Sequence, residues 1–321
     1  MPVTLTSEVP LESLRTLVAP VGELREAIRL EGGFFATTYR VTLTDGTRVV
    51  VKTAPAATDR LLTHEHDLLR TEALVYGLGG ARPDLLMPRL LHTDLTRAVV
   101  PGDVVVASHL DGVPWVDAGF GPPDEDARTR RAQSDLGALV GRLGTVTGEA
   151  FGYPQSPALQ AGTWRAAFTA MVGTLLADAR HWGVDVPDER IRAALARHAD
   201  ALDTVTAPRL VHTDLWPGNV FVEPATGEVV GIIDTERALW GDPVLDLVGA
   251  DPMWDGLPDA FAAHHDLTAP HVPTRLALGH LWLSLVMTVE PAPRAYPPSD
   301  WLTGYAAANR RNLARALDEL A

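Results

Sequence analysis

Cysteine is absent from the 321 residues, which excludes disulfides, thiolate metal ligands and thiol nucleophiles together. Long apolar runs are scarce as well. The best candidate, Val99 to Leu110, is broken by Pro101, Gly102 and Asp103 and falls short of the roughly 18 residues a membrane helix requires, so no membrane partner is expected. The first residues carry Glu8, Pro10 and Glu12 in place of the basic start and apolar stretch of a secretory leader, and cytoplasmic residence is the expectation. Basic residues are in deficit, with 27 Lys and Arg against 41 Asp and Glu and a net charge of −14. That balance argues against broad contact with nucleic-acid phosphates. It is compatible with a cationic substrate, and equally with solubility alone.

What is present is an ordinary globular composition, 46% hydrophobic and 21% charged, long enough for one large or two ordinary domains. Pro10 opens a short helix over 10–18. Thr38 to Leu43 and Thr47 to Lys52 alternate around Asp45-Gly46, a tight-turn dipeptide that predicts a hairpin because Gly tolerates positive φ. Helical spacing of Leu61, Leu62, Leu68, Leu69, Val75 and Leu78 predicts a helix over 61–79. Val104 to Leu110 reads as a buried strand closed by Asp111-Gly112 and Pro114, and the domain boundary falls there, giving units of 1–109 and 110–321. Beyond it the pattern becomes helical, near 127–148, 161–183, 187–203, 243–250, 257–265, 273–290 and 300–320. Short strands at 209–212 and 229–233 interrupt it.

The chemistry concentrates in Val211-His212-Thr213-Asp214-Leu215-Trp216-Pro217-Gly218-Asn219-Val220, followed by Gly231-Ile232-Ile233-Asp234-Thr235-Glu236. Phosphoryl transfer needs a carboxylate beside the attacking hydroxyl and oxygen ligands that hold Mg²⁺ against the phosphates. One loop between two apolar strands can supply Asp214 and the amide of Asn219, and a neighbouring strand end can supply Asp234. Taken alone, Asp214 would read as an ordinary turn cap. The grouping with Asn219 and Asp234 is what favours catalysis. Gly32 and Gly33, in Glu31-Gly32-Gly33-Phe34-Phe35, would let backbone amides approach phosphate oxygens, or would form a plain hairpin loop.

These motifs resemble the protein-kinase-like superfamily and, within it, the branch of aminoglycoside phosphotransferases and choline or fructosamine kinases. The resemblance runs from about Gly32 to Asp246. It implies an α+β bilobal fold, with a small β-rich N-terminal lobe and a larger, mainly helical C-terminal lobe. It further implies ATP or GTP between the lobes, Asp214 as the base or orienter of an acceptor hydroxyl, and Asn219 and Asp234 as Mg²⁺ ligands. Lys52, after Val49-Val50-Val51, resembles the lysine that reaches the α- and β-phosphates and pairs with a helix glutamate. Glu72 would be that partner, with Glu65 as the substitute. Backbone groups at Ser108 and Leu110 would hold the adenine edge. His212 would pack under the loop, and Asp246 would brace it from a helix N-terminus.

Thr213 stands where protein kinases usually carry Arg, Asp234 is followed by Thr235-Glu236 instead of Phe-Gly, and no activation segment fits before Gly241-Asp242-Pro243. A small hydroxylated acceptor is therefore expected, with an aminoglycoside or other antibiotic as the preferred substrate and a sugar, fructosamine or amino alcohol as the alternative. Two rivals remain at this point: a catalytically silent nucleotide binder, and a metal-dependent hydrolase built on His212, Asp214 and Asp234. Six acidic residues between Asp234 and Asp255 could attract a polyamine or form a solvated face. Trp216 resembles the fructosamine-kinase version of the loop.

Overall fold

The computed structural model describes residues 8–31, 35–296 and 298–321. Helix α1 (Leu11–Val18) precedes five strands, β1 (Leu24–Leu30), β2 (Thr37–Leu43), β3 (Arg48–Thr53), β4 (Leu90–Asp94) and β5 (Val104–Ser108), with α2 (Leu68–Ala81) between β3 and β4. The strands form one antiparallel sheet in the order β1-β2-β3-β5-β4. Side chains alternate across a strand, so Val49 and Val51 face α1 and its Leu14, Leu17 and Val18. Lys52, one residue out of phase, faces α2 instead.

The helix expected over 61–79 starts late. Thr63–Glu65 forms a single 3₁₀ turn, Asp67 takes a left-handed conformation at φ 60°, and α2 begins only at Leu68. A left-handed residue cannot continue a right-handed helix. Glu65 therefore leaves the helix face that carries Glu72.

The second half contains α3 (Ala127–Leu143), α4 (Trp164–His181), α5 (Asp188–Arg197), α6 (Ala199–Asp203), α7 (Val244–Ala250), α8 (Asp259–Ala262), α9 (Val272–Val289), α10 (Pro291–Arg294) and α11 (Asp300–Glu319). Its strands are short: β6 (Val113–Pro114), β7 (Phe151–Gly152), β8 (Gln160–Ala161), β9 (Arg209–Val211), β10 (Val220–Val222), β11 (Val229–Ile232) and β12 (Leu239–Gly241). They pair as β11-β10-β6 and β8-β7-β12-β9. The helix expected over 127–148 stops at Leu143, before Gly144, and the one expected over 187–203 is two helices meeting at His198.

Val272–Arg294 is long and apolar enough to cross a membrane, which the search for uninterrupted apolar runs overlooked. It is instead the centre of the helical core. Leu278, Leu281, Trp282 and Leu285 of α9 pack with Trp164, Phe168 and Met171 of α4 and with Leu313, Ala316 and Leu317 of α11. A helix enclosed on every side has apolar residues on every side.

A different apolar cluster joins the two halves. Val105 and Ala107 of β5, and Leu69, Ala73 and Tyr76 of α2, share it with Leu139 of α3 and with Val220, Val229 and Ile232. The polar groups described next sit on this seam.

Candidate active site

Lys52 lies in the middle of the sheet, opposite Thr38 on β2 and Val105 on β5. Its Nζ donates to Glu72 Oε2 at 3.0 Å and to Asp234 Oδ1 at 2.6 Å. Burial disfavours the ammonium, but Asp234 and Glu72 outweigh it and raise its pKa well above the usual value. Glu72 is fully buried, and burial holds its carboxyl above the ordinary range in spite of Lys52. One α2 turn further on, the Tyr76 hydroxyl accepts from the Asp234 N–H at 3.3 Å.

The segment 212–219 leaves β9 and enters β10. His212 and Thr213 both donate their backbone N–H to Asp246 Oδ1, at 2.8 and 2.9 Å. Thr213 sits at φ 70°, a costly conformation for a β-branched residue, and its Oγ1 donates to the Arg237 carbonyl at 3.1 Å. Close approach of α7 makes the brace possible: a Cβ on Gly249 would lie 2.5 Å from the Thr213 carbonyl oxygen. Burial raises Asp246 to about 7, against the pull of its two backbone donors.

His212 is buried, with Nε2 facing the Ile233 carbonyl at 2.9 Å and Nδ1 accepting from the Asp214 N–H at 3.3 Å. Those partners fix the neutral Nε2–H tautomer, and burial lowers the ring to about 4. Both nitrogens are thereby committed to backbone, which removes His212 from the ligand set that the hydrolase alternative required.

Asp214 is partly buried. Asn219 Nδ2 donates to its carbonyl at 2.9 Å and to its Oδ2 at 3.1 Å. Burial lifts the Asp214 carboxyl to about 6, with Arg237 pulling down and Asp234 pushing up. Because its nitrogen is spent on Asp214, Asn219 retains Oδ1 as the atom available to a cation.

Asp234 follows β11 at φ 67°. Burial opposes its ionisation, but Lys52 wins and its pKa falls below the usual range. Carboxylate oxygens of Glu72, Asp234 and Glu236 lie within 4.8 Å of one another, and Glu236 Oε2 is buried without a hydrogen-bond partner. Burial and Asp234 push the Glu236 carboxyl well above its normal pKa. An over-anionic set of hard oxygens with an orphaned member fits a magnesium-type cation. The sequence reading treated Glu236 only as part of an acidic run; its position two residues after Asp234 was the available signal.

A family profile described as APH, phosphotransferase enzyme family, matches residues 26–269. The chain belongs to that family. It is a small-molecule kinase by family, a phosphotransferase with a hydroxyl acceptor. Similar solved structures include a thermostable mutant of the aminoglycoside phosphotransferase APH(4)-Ia in a ternary complex with AMP-PNP and hygromycin B, at 17% identity and TM-score 0.65, covering 96% of this chain and 99% of that one. A fructosamine-3-kinase candidate from Thermobifida fusca gives 22% identity and TM-score 0.64, covering 94% and 100%. Choline kinase LicA from Streptococcus pneumoniae gives 14% identity and TM-score 0.64, covering 95% and 98%. At these identities the likeness is one of fold, and it is the bilobal kinase-like fold expected from the motifs.

In this phosphotransferase the remaining sequence candidates are distributed unevenly. Gly32 and Gly33 lie outside the described residues. Ser108 uses its N–H on the Arg89 carbonyl and its Oγ on the Arg89 N–H, both at 2.9 Å. Leu110, just past β5, packs its side chain where a Cβ on Gly231 would sit, beside the strand that leads to Asp234. Glu65 does not reach Lys52. It joins a second buried cluster that the sequence reading missed: Arg237 lies 3.0 Å from Glu290 and 3.5 Å from Glu65, and Arg294 pairs with Glu290 at 2.6 Å and also with Glu65.

Proposed function

We propose that this phosphotransferase moves the γ-phosphoryl group of ATP, or GTP, to a hydroxyl of a small acceptor in the cleft between its two halves. The observation that carries the reading is that Lys52 Nζ and Glu72 of the first half meet Asp234 of the second, the half that also holds Asp214 tied to Asn219. Lys52, oriented by Glu72, holds phosphate oxygens. Asn219 Oδ1, Asp234 and Glu236 are the oxygen donors that would hold Mg²⁺, which when bound neutralises charge on the phosphates. Asp214 accepts the proton of the acceptor hydroxyl. The acceptor oxygen bonds to the γ-phosphorus as the bond from that phosphorus to the bridging oxygen breaks, and the nucleoside diphosphate leaves. Most of the acceleration comes from positioning and fixed charge.

APH(4)-Ia was solved with AMP-PNP and hygromycin B and a relative, APH(2")-IIIa, with GDP and kanamycin. A macrolide 2'-phosphotransferase and choline kinase share the fold. Their acceptors differ, and what they share is a hydroxyl on a small molecule, which is the acceptor class proposed here.

Asp214→Ala removes the base and leaves the nucleotide groups in place. The expected outcome is a loss of about 10²–10⁴-fold in kcat with nucleotide affinity by calorimetry within a few-fold of the parent. Normal turnover in that variant would refute the role.

A further inference from the structure

Of the six acidic residues between Asp234 and Asp255, most are committed. Asp234 pairs with Lys52, Glu236 is buried beside it, and Asp242 pairs with Arg275 at 2.9 Å. Asp246 holds the loop backbone. The last two, Asp251 and Asp255, have no ion-pair partner among the described residues, and both line a cavity of about 410 Å³.

That cavity lies behind α7, away from the loop that carries Asp214. Leu247 of α7 and Asp251, one turn on, share the cavity face. Gly249, half a turn round the helix from both, is the residue whose added Cβ would meet the Thr213 carbonyl oxygen. The opposite wall belongs to α9. There His280 stands about 15 Å along the helix from Glu290, whose partner Arg237 belongs to the turn after Asp234.

The lining is of two kinds. Leu247, Leu267 and Leu276 make it apolar on one side. On the other, Asp251 accepts the N–H groups of Asp255 and Gly256, at 2.9 and 3.0 Å. A carboxylate has roughly four acceptor sites, so Asp251 keeps capacity for a further donor. Asp255 is exposed. Arg315, also on the wall, pairs with Glu319 at 3.1 Å, which leaves the two aspartates as the uncompensated charge.

His280 is an independent sign of a ligand. It lines the cavity, is 5% exposed and stacks on Trp254 at 4.0 Å and 6°. Neither of its ring nitrogens has a hydrogen bond among the described residues. Burial, with Arg315 adding to it, lowers the ring to about 3, so it is neutral near pH 7 and offers one donor and one acceptor. A buried polar group left unbonded is costly, and a molecule in the cavity can supply the bond.

We propose that this cavity is a second ligand site, separate from the transfer cleft, for a small hydroxylated amine. The ammonium sits on Asp251 and Asp255, the hydrocarbon body lies on the leucines, and the hydroxyl bonds to His280. A space of a few hundred Å³ with apolar walls and a few convergent polar groups is the usual form of a small-molecule site.

Calorimetric titration of the full chain tests this with three probes: tyramine, phenethylamine, which lacks the hydroxyl, and 4-ethylphenol, which lacks the ammonium. Tyramine should saturate one site, with either analogue about tenfold weaker. Asp255→Asn, a change at an exposed position, should weaken tyramine by about threefold. Leu276→Trp adds bulk from a half-buried position on the wall and should abolish tyramine binding while the affinity for Mg-AMP-PNP is kept. Saturating Mg-AMP-PNP should leave tyramine binding unchanged in the parent. Equal binding of 4-ethylphenol and tyramine, indifference to Asp255→Asn, competition by Mg-AMP-PNP, or no saturable binding of tyramine overturns the proposal.

Discussion

Two buried ion clusters lie on either side of the short turn from Asp234 to Arg237, and they are built on opposite plans. The first sets one cation, Lys52, among Glu72, Asp234 and Glu236. Anions are in excess, and Glu72 and Glu236 have raised pKa values. The second sets Arg237 and Arg294 against Glu65 and Glu290. There the charges balance: although burial opposes ionisation, Arg237 and Arg294 pull Glu290 down to about 2. A charge-deficient cluster in a cleft is poised to take a cation. A balanced one is scaffold, and it ties the N-terminal half (Glu65), the Asp234–Arg237 turn (Arg237) and the α9–α10 corner (Glu290, Arg294) into one unit.

The balanced cluster should be broken most severely by losing one member. Glu290→Gln leaves buried guanidinium groups short of an anion, and a loss of about 3–5 kcal/mol in unfolding free energy is expected. Urea denaturation with and without Mg-ATP measures it. A binding cluster would give a loss that depends on ligand, so a deficit equal in both conditions identifies scaffold, and an unchanged midpoint would contradict the balance.

Asp214, the proposed base, reports the contrast through pH. Its carboxyl stands at about 6 because burial raises it, Asp234 adds to the rise and Arg237 resists. If Asp214 is the base, the deprotonated form is the competent one, so kcat/KM should climb tenfold per pH unit below about 6 and flatten above it. Stability runs the other way. A carboxyl whose folded pKa is raised contributes stability below its unfolded value, and that contribution is lost as pH rises through the folded one. Activity is gained in the same window, near pH 4–6, in which this group's stabilisation is lost. A flat rate profile from pH 5 to 7 would argue that Asp214 does not take the proton.

How much of this was legible in the sequence follows from the distance over which each feature acts. Asp214, Asn219 and Asp234 lie within one loop and the next strand end, so their spacing alone brought them together as candidates. Lys52 and Glu72 are 20 apart, on a strand and a helix with recognisable periods. Arg294 and Glu65 are 229 apart, and neither belongs to a motif, so nothing local announces that they meet. The late start of α2 was hidden for a similar reason. Leucine spacing at 61–69 mimics a helix, whereas the left-handed turn at Asp67 is stabilised by tertiary contacts, including Asp67 with Arg97 and Glu65 with the second cluster. The two-residue strands β6, β7 and β8 are too short for any alternation to show.

Glu236 sharpens the comparison at the smallest scale, because replacing it should act with opposite signs in the two states. In a chelator-treated protein its charge is unwelcome: burial and Asp234 both raise its pKa, and its Oε2 has no donor. Glu236→Gln removes that charge at nearly constant shape. The metal-free variant should melt about 1–2 °C higher than the parent, a change on the order of 1 kcal/mol in a chain of this size, and the gain should shrink as pH falls and the parent's carboxyl takes up a proton. With Mg²⁺ and a non-hydrolysable nucleotide the order should reverse, since a ligand that binds only the folded state stabilises in proportion to its affinity, and the variant has lost an oxygen donor with full charge. Differential scanning fluorimetry across the two conditions separates the cases. Destabilisation in both would place Glu236 with the balanced cluster, as scaffold, and reduce the metal set to Asn219 and Asp234.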